Sequence, residues 1–311
     1  KLFYEPLLSL DTSITCASCH ILSKGFADNH AISSGVHGKN GFRNPPTLTN
    51  VAYLDRINKD GGVVKLGIQA IVPIEDVDEM NLPIGEAGKR LAADATYVDL
   101  AYRAYGRPPD AYVISRALAA FERTLISGNS RYDHYHFQRE TRALSAQELR
   151  GMELFFSKEL NCSACHSGFN FTNNSFQNNG LYTTYKDWGR RRVTARTEVE
   201  GRFRVPTLRN VGLTAPYMHD GSVASLMEVV EQYARGGTDH PNQSNLVRGF
   251  TISQRDKRAV VAFLHTLTDS IFVNNYAMDL SVLPEQFLCL NDTLEIAVNN
   301  PYPQDELTYE V

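Results

Sequence analysis

Residues 16–20 read CASCH and residues 162–166 read CSACH. In a C-x-x-C-H pattern the two thiols form thioether bonds to the vinyl groups of a haem, and the histidine that follows binds the iron from one face. A single match in 311 residues could arise by chance, but these two matches use four of the five cysteines. The spacing predicts two covalently bound haem c groups, held by Cys16, Cys19, His20, Cys162, Cys165 and His166.

Two other uses of paired cysteines are alternatives. Such pairs also suit tetrahedral zinc, although here a histidine follows each pair directly. A disulfide framework is typical of small secreted domains, whereas this chain is long enough to bury a large core. Haem attachment is the interpretation that uses all six residues of the two motifs. The fifth cysteine, Cys289, is expected to be a small buried apolar residue.

The composition is that of a soluble globular protein, with 42% hydrophobic residues, 21% charged residues and a net charge of -4. A charge this close to neutral argues against nucleic acid as a partner. No apolar run approaches the length of a membrane span. The chain begins abruptly at Lys1, so we expect a processed or trimmed form. Because covalent haem attachment takes place outside the bacterial cytoplasm, we expect a periplasmic or exported protein.

The chain repeats a second pattern. Residues 42–51 read FRNPPTLTNV after the first haem motif, and residues 203–211 read FRVPTLRNV after the second. This similarity predicts one haem domain used twice, with the halves meeting in the polar stretch at 127–144. The predicted units are a first haem domain at 1–135 with the peroxidatic haem, a second at 136–275, and a C-terminal extension at 276–311.

Apolar residues at helical spacing indicate a mainly α protein made of two cytochrome-c-like domains. Ser145 with Glu148 forms a capping-box pattern, Ser222 and Ser253 are predicted N-caps, and Gly236 is expected to end a helix. Long alternating strand patterns are absent from the sequence. The predicted helices lie at 86–105, 111–126, 145–156, 222–235 and 253–268.

Several further stretches resemble the bacterial di-haem cytochrome c peroxidases and their MauG-type relatives. The resemblance extends from residue 2 to about residue 268, and it is greatest to the MbnH-type enzymes of that family. The stretches that carry it are RNPPTL at 43–48, FRVPTLRN at 203–210, LTAPYMHDG at 213–221, AFERTLISG at 120–128, HSGFNF at 166–171 and VRGFT at 247–251.

The resemblance implies a peroxide site at the first haem. Such a site needs an open face of the iron and an acid/base that moves a proton between the peroxide oxygens. His20 would hold the iron from the proximal side, and residues 69–80 resemble the distal segment of the family. In that register Glu79 is the acid/base, Gln69 lines the pocket and Pro73 shapes it. The alternative for Glu79 is a solvated charge in an acidic loop.

The resemblance also implies a second ligand for the haem held by His166. MauG-type enzymes place a tyrosine where this chain has Tyr233, whereas the usual peroxidases place a methionine there. A tyrosinate stabilises ferric and higher iron states, while thioether ligation favours ferrous iron. Met218 and Met227 are rival ligands, and Tyr233 as a core aromatic is the remaining alternative.

Two other roles follow from the resemblance. Asn44 and the backbone carbonyls of Thr214 and Pro216 would form a Ca²⁺ site between the domains, since oxygen ligands suit this hard cation. His37 lies one position away from a displaceable distal histidine of reductively activated peroxidases. Its alternative is a histidine in a surface loop.

The sequence departs from the family at the residue expected to carry electrons between the haems. The family usually has a tryptophan there, but residues 59–62 read KDGG and the single tryptophan is Trp188. Tyr53 is an alternative aromatic for the route, as is direct coupling of the haems.

The leading interpretation is an H₂O₂-dependent di-haem oxidoreductase that oxidises a tryptophan of a periplasmic partner through a high-valent two-haem state. A copper-binding MbnP-like protein is one candidate partner. The alternative is a cytochrome c peroxidase that reduces H₂O₂ to water with electrons from a small redox protein. An electron-transfer cytochrome is a third interpretation, but it leaves Gln69 and Glu79 without a role.

Overall fold

The structure is a computed structural model that describes residues 1–274. The predicted extension at 276–311, with Cys289, lies outside the described residues. The prediction of a mainly α fold is confirmed. The helices are α1 (Cys16–Cys19), α2 (Leu66–Gln69), α3 (Val72–Glu75), α4 (Ile84–Ala92), α5 (Ala95–Tyr105), α6 (Ala111–Arg123), α7 (Arg131–His136), α8 (Ala146–Phe155), α9 (Arg191–Thr194), α10 (Leu226–Arg235), α11 (Gln254–His265) and α12 (Ser270–Val273).

Short 3₁₀ helices and one small sheet complete residues 1–274. Strands β1 (Phe176–Gln177) and β2 (Phe203–Arg204) pair antiparallel, with Phe176 opposite Arg204. The 3₁₀ helices are Leu2–Tyr4, Pro6–Leu8, Leu22–Lys24, Val36–Gly38, Val51–Tyr53, Cys162–Ala164, Thr197–Val199 and Val211–Leu213.

Two of the predicted helices differ from the structure. The stretch at 86–105 forms two helices, because the Asp94 side chain accepts a hydrogen bond from the Thr96 amide (2.8 Å) and so begins α5 anew. The helix predicted at 222–235 begins later, and its N-cap is Ser225 rather than Ser222. Ser225 and Glu228 form a capping box, and this reciprocal pair satisfies two orphan amides that Ser222 would leave open. Ser145 and Ser253 are confirmed as N-caps.

The buried apolar residues form two main cores. The first contains residues between Phe3 and Leu125, together with Phe272 and Val273 of α12. The second contains residues between Tyr132 and Leu267. The C-terminal helix α12 therefore packs on the first half of the chain. The domain limits at 135 and 275 stay a prediction.

Matching hydrogen bonds tie each half to a later segment. Asn50 and Asn210 both have left-handed backbones, with φ of 57° and 60°. The side-chain oxygen of Asn50 accepts from the Ser127 amide (2.8 Å), and that of Asn210 accepts from the Asp269 amide (2.9 Å). The Asn210 side-chain amide also donates to the Ser127 hydroxyl (3.1 Å), so both asparagines bond Ser127.

A buried ion pair anchors the second motif. Arg209 and Asp133 have side chains that are 0% and 2% exposed, and Nη1 of Arg209 lies 2.5 Å from Oδ2 of Asp133. Arg209 Nε donates to the Phe169 carbonyl (2.8 Å), and the guanidinium lies 4.4 Å from the centroid of the Phe169 ring. Asp133 also completes the capping box of α7 with Ser130. The pair thus connects helix α7 to the loop that follows the second haem motif.

We predict that Asp133→Ala lowers the free energy of unfolding by about 3–5 kcal/mol, because it leaves the Arg209 charge buried and uncompensated. Equilibrium unfolding in urea, followed by circular dichroism, measures the loss. The control is Asp99→Ala, which removes an exposed pair with Arg103 and should change stability by only about 0–1 kcal/mol. Equal losses in the two variants would contradict the prediction.

Candidate functional site

The first C-x-x-C-H motif lies on the wall of a cavity of about 340 Å³. Thr15 caps α1 in a capping box with Ser18, and this short helix presents Cys16 and Cys19 to the cavity. Burial raises the pKa of the Cys16 thiol to about 12. None of the four motif cysteines forms a disulfide in the structure. The predicted attachment residues of the first haem therefore lie together.

Both motif histidines are oriented in the same way. His20 Nδ1 lies 3.0 Å from the Phe26 carbonyl oxygen, and His166 Nδ1 lies 2.9 Å from that of Phe171. A proton on Nδ1 that is donated to a carbonyl leaves the Nε2 lone pair available for a metal. Burial, the largest cause, lowers the pKa of both imidazoles. Each histidine is thus held neutral, which is the form that binds iron.

Gln69, Pro73 and Glu79 line the same cavity as His20. Gln69 ends α2, Pro73 lies in α3, and Glu79 follows in the next turn. Glu79 is accessible to solvent and lines the cavity. Burial, then the charges of Asp76 and Asp78, raise its pKa to about 7. The structure therefore places the predicted acid/base group beside the first haem motif.

The loop around Gly35 holds Glu79 in place. The Val36 amide donates to the Glu79 carbonyl (2.8 Å). A Cβ built on Gly35 would lie 2.1 Å from the Asp78 carbonyl oxygen and 2.5 Å from that of Glu79. Only glycine fits such an approach. Sequence reasoning missed Gly35, since its partners lie more than 40 residues away and no local pattern marks the contact.

His37 lies outside the residues that line this cavity. Its backbone is left-handed (φ 57°), its side chain is 58% exposed, and Nδ1 lies 3.5 Å from a carboxylate oxygen of Asp11. The geometry of the structure is that of a histidine in a surface turn.

Tyr233 lies beside the second motif. It faces a cavity of about 300 Å³, which Leu160 and Asn161 also line. Burial is the main cause that raises its pKa to about 12; the nearby Cys165 and Cys162 add to this, and a hydrogen bond with Asn179 opposes it. The phenol is thus neutral until a bound metal displaces its proton.

Met218, one of the two rival ligands, shares a hydrogen-bond partner with Tyr233. Its sulfur accepts a hydrogen bond from the Asn179 side-chain amide (3.3 Å), and Asn179 also bonds Tyr233. Met227 is half-buried on the first turn of α10. Tyr233 and Met218 therefore both bond the Asn179 side chain, whereas Met227 lies almost two turns before Tyr233 on α10.

Two largely buried cations form no salt bridge within residues 1–274, although the charges of Asp220 and Asp187 act on Lys59 and that of Asp55 acts on Arg204. Lys59 lines the first cavity, and its Nζ donates to the Met218 carbonyl (3.3 Å). Burial, then repulsion from Arg204 and Arg43, lower the pKa of Lys59 to about 7. Arg204 Nε is buried without a hydrogen-bond partner. Buried cations of this kind call for an anion, and the carboxylate side chains of a haem would supply one. The residues present therefore fit the predicted cofactor.

Lys59 stands in the stretch where the resemblance led us to expect a tryptophan. Tyr53, the alternative aromatic, packs edge-on against Phe169 with ring centroids 6.3 Å apart. Trp188 is 50% exposed, with the Arg191 guanidinium 4.5 Å from its ring centroid. Tyr53 therefore connects the first half to Phe169, three residues after the second motif.

The predicted calcium residues lie at the junction of the halves. Asn44 is buried, its amide donates to the His219 carbonyl (2.9 Å), and its side chain donates to the His30 carbonyl (3.1 Å). Asn29 bonds the Ala215 carbonyl (3.0 Å), which lies between Thr214 and Pro216. Within residues 1–274 no group of three or more His, Cys, Asp or Glu side chains is arranged to hold a metal ion.

None of the helices described in residues 1–274 combines the length and apolar character that crossing a membrane requires.

Two solved structures share this fold along most of the chain. A MauG-like protein associated with microbial copper homeostasis superposes with a TM-score of 0.82 and 32% identity, over 88% of each chain. The diheme peroxidase BthA from Burkholderia thailandensis E264 superposes with a TM-score of 0.77 and 25% identity, over 88% of this chain and 85% of that one.

The sequence comparisons agree with the structural ones. Residues 1–142 match the family model of the di-haem cytochrome c peroxidases. The methylamine utilization protein MauG of Methylorubrum extorquens is 37% identical over 270 residues, which cover 86% of this chain and 76% of that protein. The cytochrome c551 peroxidase of Pseudomonas aeruginosa is 33% identical over 278 residues, which cover 86% and 77%. The chain belongs to the di-haem cytochrome c peroxidase and MauG family, and it is a haem-dependent oxidoreductase.

Proposed function

We propose that this protein uses hydrogen peroxide to remove electrons from a tryptophan of a partner protein. The observation that carries the proposal is that Gln69, Pro73 and Glu79 share one cavity with the first haem motif. When bound, the two haems would supply the redox chemistry, by reacting with peroxide and storing its oxidising equivalents. A cytochrome that only transfers electrons has no use for a carboxylate acid/base in such a cavity.

Glu79 is the proton-moving group of this site. As a carboxylate it accepts a proton from one peroxide oxygen, and as an acid it returns that proton to the other oxygen. Its pKa of about 7 lets both forms exist near neutral pH. The Pro73 carbonyl accepts from the Met80 amide (3.1 Å), so Pro73 fixes the turn that carries Glu79. Gln69 offers both a donor and an acceptor to the peroxide.

The second haem would be held by Cys162, Cys165 and His166, with Tyr233 as the other ligand. The support is the closeness of Tyr233 to both cysteines and the similarity to MauG. An anionic oxygen ligand disfavours the reduced metal. The fully oxidised protein would then react with peroxide without prior reduction.

The alternative function is reduction of peroxide to water with electrons from a small redox protein. Met218 favours it, because its sulfur is held by the same Asn179 that bonds Tyr233. Thioether ligation favours the reduced metal, and such an enzyme would need one electron before it reacts. The 33% identity to a cytochrome c551 peroxidase supports this alternative.

Three further assignments belong to the proposal. The matching bonds of Asn50 and Asn210 support an internal repeat of one haem domain, at 1–135 and 136–275. Asn44, Thr214 and Pro216 would bind Ca²⁺ at the junction. A periplasmic location and a copper-binding MbnP-like partner agree with the structural neighbour that is associated with copper homeostasis.

Glu79→Gln should slow the reaction of the oxidised protein with peroxide by about 10²–10⁴-fold, because it removes the proton acceptor. In the wild type the ionised form accepts the proton, so the rate should rise with pH through about 7 and then level off. Stopped-flow absorption of the haem bands measures both effects. Glu86→Gln, at an exposed site outside the cavity, is the control. An unchanged rate in Glu79→Gln would remove this residue from the mechanism.

Gly35→Ala should displace the Glu79 turn and slow the peroxide reaction by about 10²-fold, as expected for a catalytic group that is moved by roughly 1 Å. Gly41→Ala is a matched control: Gly41 lines the same cavity, but a Cβ there meets nothing within 4 Å. The same stopped-flow rates, with the pH profile, test the prediction. If both variants keep the wild-type rate and profile, Gly35 does not position Glu79.

Tyr233→Met should raise the reduction potential of the second haem, because a thioether replaces an anionic oxygen ligand. It should also make reaction with peroxide depend on prior reduction. Spectroelectrochemistry and electron paramagnetic resonance of the oxidised protein measure the change of ligand. Met218→Leu tests the rival: if that variant, and not Tyr233→Met, changes the signal of the second haem, the peroxidase alternative is correct.

A further inference from the structure

Glu122 is a buried carboxyl group that the mechanism above does not use. It lies on α6 and is 5% exposed. Its Oε2 atom is buried without a hydrogen-bond partner within the described residues. Glu122 lines the first cavity together with Glu79, and Leu118 lines it one turn earlier on the same helix. A buried carboxyl oxygen without a hydrogen-bond partner thus belongs to a residue on the wall of the cavity in which the peroxide chemistry is proposed.

The surroundings of Glu122 give it no structural task. The neighbouring cavity wall is apolar, with Phe3, Ile14 and Leu118. Burying a carboxyl oxygen without a hydrogen bond destabilises a protein by about 1–3 kcal/mol. Among the described residues, no hydrogen bond to Oε2 of Glu122 offsets this cost. A partner that enters the cavity, such as water or peroxide, would do so.

Glu122 also lies close to the predicted distal residues. Helix α2, which ends at Gln69, packs on α6, and a Cβ on Gly67 would lie 3.7 Å from the Ser115 carbonyl. The charge of Glu122 acts on Cys16, as does that of Glu79. The two carboxyl groups therefore approach the same haem attachment site.

The proposed reaction needs more protons than Glu79 provides. Reduction of one hydrogen peroxide to two waters breaks the O–O bond and takes up two electrons and two protons. The electrons come from the reduced partner protein. Glu79 only moves a proton from one peroxide oxygen to the other, so both net protons must come from elsewhere.

We propose that Glu122 supplies one of these protons from inside the protein, an inference that rests on the proposed function. The O–H bond of the Glu122 carboxylic acid breaks, and the proton joins an oxygen derived from peroxide that leaves as water. A proton from solvent then enters along the partly exposed Asp76 and Asp78 and protonates the remaining carboxylate again. The second net proton enters by the same path.

The protonation of Glu122 at neutral pH agrees with this role. Burial raises its pKa to about 8, and Arg123 opposes the shift. Glu79, with a pKa of about 7, is the group that ionises first. Two carboxyls whose environments separate their pKa values are suited to separate acid and base tasks. The other titratable or charged groups on elements packed against α6 are Cys16, the N-terminal amine of Lys1, Tyr4, Tyr53, Glu86, Lys89 and Arg90.

The test compares Glu122→Gln and Glu122→Asp in the oxidised holoprotein. Infrared spectra should show the C=O band of a buried carboxylic acid at pH 7, which Glu122→Gln removes. Glu122→Gln should slow the re-reduction of the peroxide-treated protein by ascorbate about 10²-fold, because the two net protons are taken up together with the electrons in that step. It should also remove the fall in this re-reduction rate that the wild type shows above a pH of about 8, while Glu122→Asp restores part of the rate and of the profile. Glu153→Gln, which is exposed on α8, is the control.

Two results would overturn the inference while leaving the proposed function intact. One is a wild type that reacts with peroxide but whose infrared spectrum shows Glu122 ionised at pH 7. The other is a folded Glu122→Gln protein with the wild-type re-reduction rate and pH profile. A wild type that does not react with peroxide at all overturns the proposed function itself, and the inference with it.

Discussion

The hydrogen bond from a motif histidine to a backbone carbonyl is the interaction on which each half of this protein depends. The carbonyls belong to Phe26 and Phe171, and both residues have left-handed backbones, with φ of 57° and 50°. Such a conformation costs roughly 1–2 kcal/mol in a non-glycine residue. Both phenyl rings are buried almost completely, and their packing offsets this cost. The same local strain in both halves orients both imidazoles.

Local patterns explain why much of this could be predicted from the sequence. The cysteine spacing, the capping box of Ser145 with Glu148, and the periodicity of α6 and α11 each depend on residues within one or two turns. The differences arose where two local signals compete. Asp94 divides a continuous apolar pattern, and Ser225 caps α10 in preference to Ser222, because each offers a better hydrogen bond at that point.

Long-range contacts could not be predicted in this way. Gly35 meets the backbone of Glu79, and Lys59 is buried beside Arg204, but no spacing in the sequence indicates either contact. In the sequence, Lys59 was noticeable only because it stands in the stretch where a tryptophan was expected. Lys59 forms no salt bridge among the described residues, so an added anion would stabilise its charge at this place. Binding of a haem with its carboxylates would therefore stabilise the fold as well as supply the chemistry.

The two halves share a scaffold but not a cavity. Asn50 and Asn210 make equivalent bonds, and each half holds its histidine in the same way. The difference lies in what each half adds: the segment of α2 and α3 brings Gln69 and Glu79 to the first cavity, while α10 brings Tyr233 to the second. Under the proposed function, proton-transferring side chains suit the haem that would react with peroxide, and a phenol ligand suits the haem that would store an oxidising equivalent. The two haems would then differ in role because each half adds a different segment to the same way of holding a histidine.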